Sequence, residues 1–132
     1  MRKFGRLVVV LAALAACFGL TQTSASAMEA FCFNDDGDAG GRSCYIYHEA
    51  DGHHVDSVKF EALGEYLTIN DLVSDGKGVA AYVNGVRYPG QSSVYGPVTY
   101  NLNISEGTTV VLTSCQTDNG TEYDCHTEKG KA

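Results

Sequence analysis

The chain has 132 residues, a formal net charge of −7 and 44% hydrophobic residues. That length allows one domain with one core and excludes the large cofactor-binding α/β enzymes, while the apolar content excludes a disordered chain. The acidic balance argues against nucleic acid and anionic membrane as partners, because such a surface repels phosphate.

Met1-Arg-Lys-Phe-Gly-Arg6 is a short basic head, Leu7 to Leu20 is apolar, and Thr21 to Ala27 is a tail of small polar residues ending in Ala25-Ser-Ala27. This is the order of a secretory signal over residues 1–27, with cleavage expected after Ala27. The apolar stretch is too short to cross a bilayer comfortably, and no later segment comes close, so no membrane span is expected. Leu14-Ala-Ala-Cys17 matches a bacterial lipobox, which would place a lipid anchor on Cys17. Against that, Phe18-Gly-Leu20 continues the apolar run, and Ala25-Ser-Ala27 offers a good cleavage site. The expected product is a secreted, extracellular single domain over residues 28–132, with six basic and sixteen acidic residues and a net charge of −10.

Four cysteines remain in that domain, an even number that reads as two disulfides in an exported chain. Of the three possible connectivities, Cys32–Cys44 and Cys115–Cys125 are favoured. Each pair brackets a turn-forming segment, Asp35 to Gly41 and Asp118-Asn-Gly120 respectively. Closing loops of this length stabilises by about 3 kcal/mol in the chain-entropy account.

Residues 28–42 are acidic and Gly-rich and read as an irregular N-terminal loop. From Ser43 the pattern alternates. Val58, Phe60 and Ala62 oppose Ser57, Lys59 and Glu61; Leu67 and Ile69 oppose Tyr66 and Thr68; Val79, Ala81 and Val83 oppose Ala80 and Tyr82. Val98 to Ile104 and the β-branched run Thr108 to Thr117 continue it. This is strand periodicity with one buried and one wet face. Turn signals separate the runs: Asp51-Gly52, Leu63-Gly64, Asp75 to Gly78, Asn84-Gly85, Ser105 to Gly107 and Asn119-Gly120. Residues 126–132 read as a flexible tail. The fold class expected is all-β, an antiparallel β-sandwich or small barrel of about seven to eight short strands with two disulfides.

The signal, Val58-Lys-Phe-Glu-Ala-Leu-Gly-Glu65, Asp75-Gly-Lys-Gly-Val-Ala-Ala-Tyr82 and the hairpin from Cys115 to Cys125 together resemble small secreted β-rich proteins of actinomycetes, most of them uncharacterised. The resemblance covers residues 43–125 and implies a β-rich exported domain; it carries over no functional residue.

Tyrosine is the most suggestive residue type. With Ile46, Leu67, Ala81 and Val83 inward, Tyr45, Tyr47, Tyr66 and Tyr82 point outward, and tyrosine gives a rigid amphipathic contact surface. Tyr88 and Tyr95 flank a loop pinned by Pro89 and Pro97 that would present a pre-ordered strip. Metal ligation has two candidate sets. Asn34, Asp36 and Asp38 stand at one-three-five spacing and offer oxygens to Ca²⁺, although Ala39 and Tyr45 occupy positions that an EF-hand fills with Gly and Glu. His48, His53 and His54 flank a hairpin end, where His48 and His53 facing each other would offer nitrogens to Zn²⁺. No cofactor is expected beyond these ions, and no catalytic constellation is legible: there is no G-x-S-x-G and no phosphate-binding glycine loop. The function expected is therefore a non-catalytic binding or inhibitor-type domain for an extracellular protein or glycan. The alternative is a metal-responsive structural or envelope protein.

Overall fold

The computed structural model describes residues 27–132. The signal segment before Ala27 and Cys17 lie outside the described residues. Nine strands follow one another: β1 (Ala27–Asn34), β2 (Arg42–Ala50), β3 (His53–Glu61), β4 (Tyr66–Asp71), β5 (Lys77–Val83), β6 (Val86–Pro89), β7 (Val98–Asn101), β8 (Thr109–Asp118) and β9 (Thr121–Lys131), with a single 3₁₀ turn at Ser93–Tyr95. Among the described residues no helix is long and apolar enough to cross a membrane.

All pairings are antiparallel, and the sheet order is β6-β5-β8-β9-β2-β3-β4-β7, with β1 added beside β2. The chain is all-β, as its periodicity predicts, but the architecture is one sheet curled into a half-barrel. A single curled sheet has one concave face, and that face carries the core.

Three hairpins turn on two residues with positive φ, Asp51-Gly52, Asn84-Gly85 and Asn119-Gly120. These are the turns whose twist matches that of the flanking strands. Each one fixes register, so the apolar members of each alternation all reach the concave side. Ile46, Val58, Phe60, Leu67, Ile69, Ala81, Val110 and Leu112 are fully buried there.

Two expectations are corrected. Residues 28–42 are not an irregular loop throughout: Ala27–Asn34 form β1, paired with β2 from Ala27↔Glu49 to Asn34↔Arg42. Only the turn from Asp35 to Gly41 is irregular, closed by the Asp35 N–H donating to the Gly41 carbonyl at 3.0 Å. Nor are residues 126–132 a loose tail. Residues 126–131 are the second half of β9, and Ala132 beyond them is buried, with its N–H donating to the Thr108 carbonyl at 3.0 Å. The first addition, β1, raises the strand count to nine, and the second lengthens β9.

The disulfides are Cys32–Cys44 and Cys115–Cys125. The first joins directly opposed residues of β1 and β2. The second sits where the β8–β9 ladder shifts register, next to Asp124, whose φ is 46°.

Candidate binding surface

Strand alternation sends Phe31 and Phe33 of β1 and Tyr45 and Tyr47 of β2 to the convex face. Phe31 stacks on Tyr45 with centroids 5.2 Å apart and planes 6° apart, and Phe33 stacks on Tyr45 at 5.5 Å. Tyr47 lies 6.1 Å from Phe31 and continues into the His54 ring at 4.6 Å. Parallel rings this close cannot lie side by side in one plane; they are offset stacks, the arrangement that aromatic quadrupoles favour. Phe31 and Phe33 remain 44% and 43% exposed. The Lys59 ammonium rests 5.1 Å from the Tyr45 ring centroid and bonds Glu61 at 2.6 Å. Burial and the neighbouring Tyr45 push the Tyr47 phenol above its ordinary pKa, so it stays a neutral hydrogen-bond donor.

The remaining tyrosines divide. Tyr66 is exposed on β4, opposite Glu61, two strands along the same convex face. Tyr82 also points outward, but on β5, which β8 and β9 separate from β2. Its hydroxyl donates to Glu122 at 2.7 Å, and Arg87 Nε donates to the other oxygen of Glu122 at 2.8 Å. The Glu122 bond pushes the Tyr82 phenol up, and the Tyr82 and Arg87 bonds pull the Glu122 carboxyl down. Tyr88 packs against the core and meets Tyr100 edge-on at 5.0 Å. Tyr95 is 77% exposed in the 3₁₀ turn. That loop is pre-ordered as its prolines suggest: the Gln91 amide donates to the carbonyls of Tyr95, Gly96 and Pro97. The loop nevertheless joins β6 to β7, the two ends of the sheet order, so it does not extend the β1–β2 surface.

The metal candidates also separate. His48 does not face His53; the β2–β3 register places His53 opposite Ala50 and His48 opposite Asp56. His48 is fully buried, with Nδ1 2.6 Å from Asp56 Oδ1 and Nε2 2.8 Å from the Asp124 carbonyl oxygen. Asp56 Oδ2 accepts from the Gln116 amide at 3.3 Å. Burial alone disfavours the charged imidazole, but the Asp56 bond and charge and the Asp124 carbonyl outweigh it, and the His48 pKa is raised. A carbonyl only accepts, so Nε2 carries a hydrogen. Nδ1 and Asp56 share another. Both ring nitrogens are thus engaged within the fold, and the raised pKa favours the form in which both carry a hydrogen.

In the acidic turn, Asp36 is exposed while Asp38 is partly buried, and one carboxylate oxygen of Asp38 has no hydrogen-bond partner. The oxygens of Asp35 are engaged by Gly37 N–H and the Ser43 hydroxyl. No three acidic groups of this turn converge; among the described residues, three potential ligand groups converge only at Glu29, Glu49 and His54.

Comparison with other proteins gives no family. No protein-family model, curated protein or solved structure matches this chain. The surface is therefore read from its own chemistry.

The sequence alone does not single out Phe31 and Phe33, because the acidic, Gly-rich run Asn34-Asp-Asp-Gly-Asp-Ala-Gly-Gly41 beside them has loop chemistry. The signal was present: Phe31 and Phe33 alternate with Ala30, Cys32 and Asn34 at period two. A disulfide to Cys44, near the start of β2, extends that pairing backwards through β1.

Proposed function

We propose that this chain is a secreted, non-catalytic binding domain that recognises a protein through the convex face of β1, β2 and β3. The observation that carries the reading is the ladder of Phe31, Phe33, Tyr45, Tyr47 and His54, five rings stacked in the open on one sheet face. Soluble domains rarely leave a contiguous apolar patch of this kind uncovered unless it is used. Mutual stacking already restricts the rotation of these rings, so little side-chain entropy is lost on contact.

The stacking favours a protein over a glycan. Sugar binding needs open ring faces, and here neighbouring rings cover one another. Glu29, Glu49 and Glu61 rim the ladder, so the complementary partner presents an apolar patch bordered by basic side chains. Export is supported by the leader and by the two disulfides, which persist in oxidising compartments. The binding reading is further supported by His48, the buried histidine, whose two nitrogens are already engaged.

The test replaces Phe31 and Tyr47 together with alanine and compares capture of partners from the culture fluid with that by Tyr82→Ala. The platform variant should lose capture by at least about tenfold, as central aromatic contacts do, and Tyr82→Ala should retain it. Equal capture by the parent and the platform variant would remove this face as the site.

A further inference from the structure

At one end of the aromatic ladder, three adjacent strands each contribute one potential metal ligand. Glu29 comes from β1, Glu49 from β2 and His54 from β3. The β2–β3 register shifts between His48 and Glu49, and this bulge sets Glu49 opposite His54. Bulges commonly re-aim a side chain in this way. His54 Nε2 lies 2.9 Å from Glu49 Oε1 and 3.7 Å from Glu29 Oε2, and one ligand atom from each of the three residues falls within 4.8 Å of the others. Stacking of the imidazole on Tyr47 at 4.6 Å holds the ring in that orientation.

Zinc binds imidazole nitrogen and carboxylate oxygen at about 2.0–2.2 Å in a tetrahedral shell, which places ligand atoms roughly 3.3–3.6 Å apart. The two distances to Nε2 bracket that spacing, so small rotations of two exposed glutamates suffice. Among the described residues neither glutamate forms an ion pair with a lysine or arginine. Two carboxylates thus approach one imidazole with no fixed cation between them. Calcium, which takes six to eight oxygens and has no use for an imidazole, fits less well.

We propose that Glu29, Glu49 and His54 bind one Zn²⁺ with the fourth position open, at the margin of the aromatic ladder. Of the two sets expected from sequence, the site keeps only His54 and adds Glu29 and Glu49. It does not depend on the ladder's being a docking face. An open coordination position is nevertheless available there to water or to a donor atom of a bound molecule.

The experiment is isothermal titration of the full secreted chain with ZnCl₂, with CaCl₂ titrated in parallel. One equivalent of Zn²⁺ should bind. His54→Ala and Glu49→Gln should each weaken binding at least about tenfold, while His53→Ala and His126→Ala leave it unchanged. All four side chains lie outside the core, and unchanged melting of each variant in metal-free buffer establishes that it folds. Absence of Zn²⁺ binding, binding that survives His54→Ala, or Ca²⁺ binding of equal strength would each overturn the assignment.

Discussion

At the residue scale the most consequential side chain is His48, because it is buried and charged groups surround it. A histidine whose folded pKa is raised stabilises the native state fully below the unfolded value, about 6.5, and that contribution is lost as pH rises through the folded value. The chain should therefore lose stability as pH increases above about 6.5. His48→Leu should abolish that slope and itself cost about 3–5 kcal/mol, since it strands the Asp56 carboxylate with only the Gln116 amide at 3.3 Å. Adding Asp56→Leu should recover part of the loss, because an apolar pair avoids burying an unmatched charge. Urea midpoints measured across this pH range decide it: a parent chain with flat stability and a His48→Leu chain within experimental error of it would refute the buried ion pair. The same scale shows what sequence reading missed. Period-two alternation, continued past the last apolar residue, carries His48, Asp56 and Asp71 to the concave face on three neighbouring strands. Hydrophobicity ends before these positions, so the sequence alone places His48 beside a hairpin end and not in the core. Asp71 shows that such a position is a working one. Burial pushes its carboxyl up, and it accepts the N–H groups of Val73 and of Ser93, which ties the Gly90–Pro97 loop to β4.

At the element scale the hairpins were legible and the ends of the chain were not. Asp51-Gly52, Asn84-Gly85 and Asn119-Gly120 combine a residue that tolerates positive φ with a glycine, so each turn and its register follow from local chemistry alone. β1 and the close of β9 depend instead on long-range contacts. β1 exists because β2 offers it an edge, and β9 ends against β2 through Arg42↔Lys131, a pairing no local pattern announces. Gly130 makes that approach possible. A β-carbon there would sit 2.6 Å from the Arg42 carbonyl oxygen and 3.3 Å from both Cys44 Sγ and the Phe60 ring. The first neighbour is backbone and cannot move aside without shifting β2. Gly130→Ala should therefore destabilise by about 1–3 kcal/mol, the range for overpacking a close contact. In a residue read as part of a loose tail, the same change would be neutral. A urea midpoint equal to that of the parent would show that β9 does not press on β2 in solution.

At the scale of the whole molecule, a sheet that curls without closing leaves two edges, and exposed edges invite pairing with other chains. β1, paired only with β2, is one further edge, and the two ends of the strand order are β6 and β7. They are brought together by side chains: the Tyr88 ring of β6 meets the Tyr100 ring of β7 edge-on at 5.0 Å, and the Tyr100 hydroxyl donates to the Pro89 carbonyl at 2.8 Å. The Gly90 N–H adds a bond to the Val79 carbonyl at 3.1 Å, which anchors the loop that spans the gap. Pro89 lies on this edge strand, where its missing N–H also discourages strand addition. Tyr100→Phe removes only the hydroxyl bond and should cost about 1 kcal/mol. Tyr100→Ala removes the ring as well and should cost about 2–3 kcal/mol, somewhat less than truncating a fully buried aromatic. The larger effect should be local. In Tyr100→Ala, exchange of β6 and β7 amide hydrogens should accelerate more than that of β2, β3 and β8, whose rates rise only by the loss of global stability. Hydrogen exchange read by mass spectrometry resolves this, and uniform acceleration across all strands would mean that the Tyr88–Tyr100 contact does not act as a separate seam. The seam and the aromatic ladder lie on different strands, so Tyr100→Ala should leave partner capture by the β1–β2 face intact. A loss of capture in that variant, with β2 and β3 still protected, would place the contact surface at the seam and its Tyr95 loop instead of on the ladder.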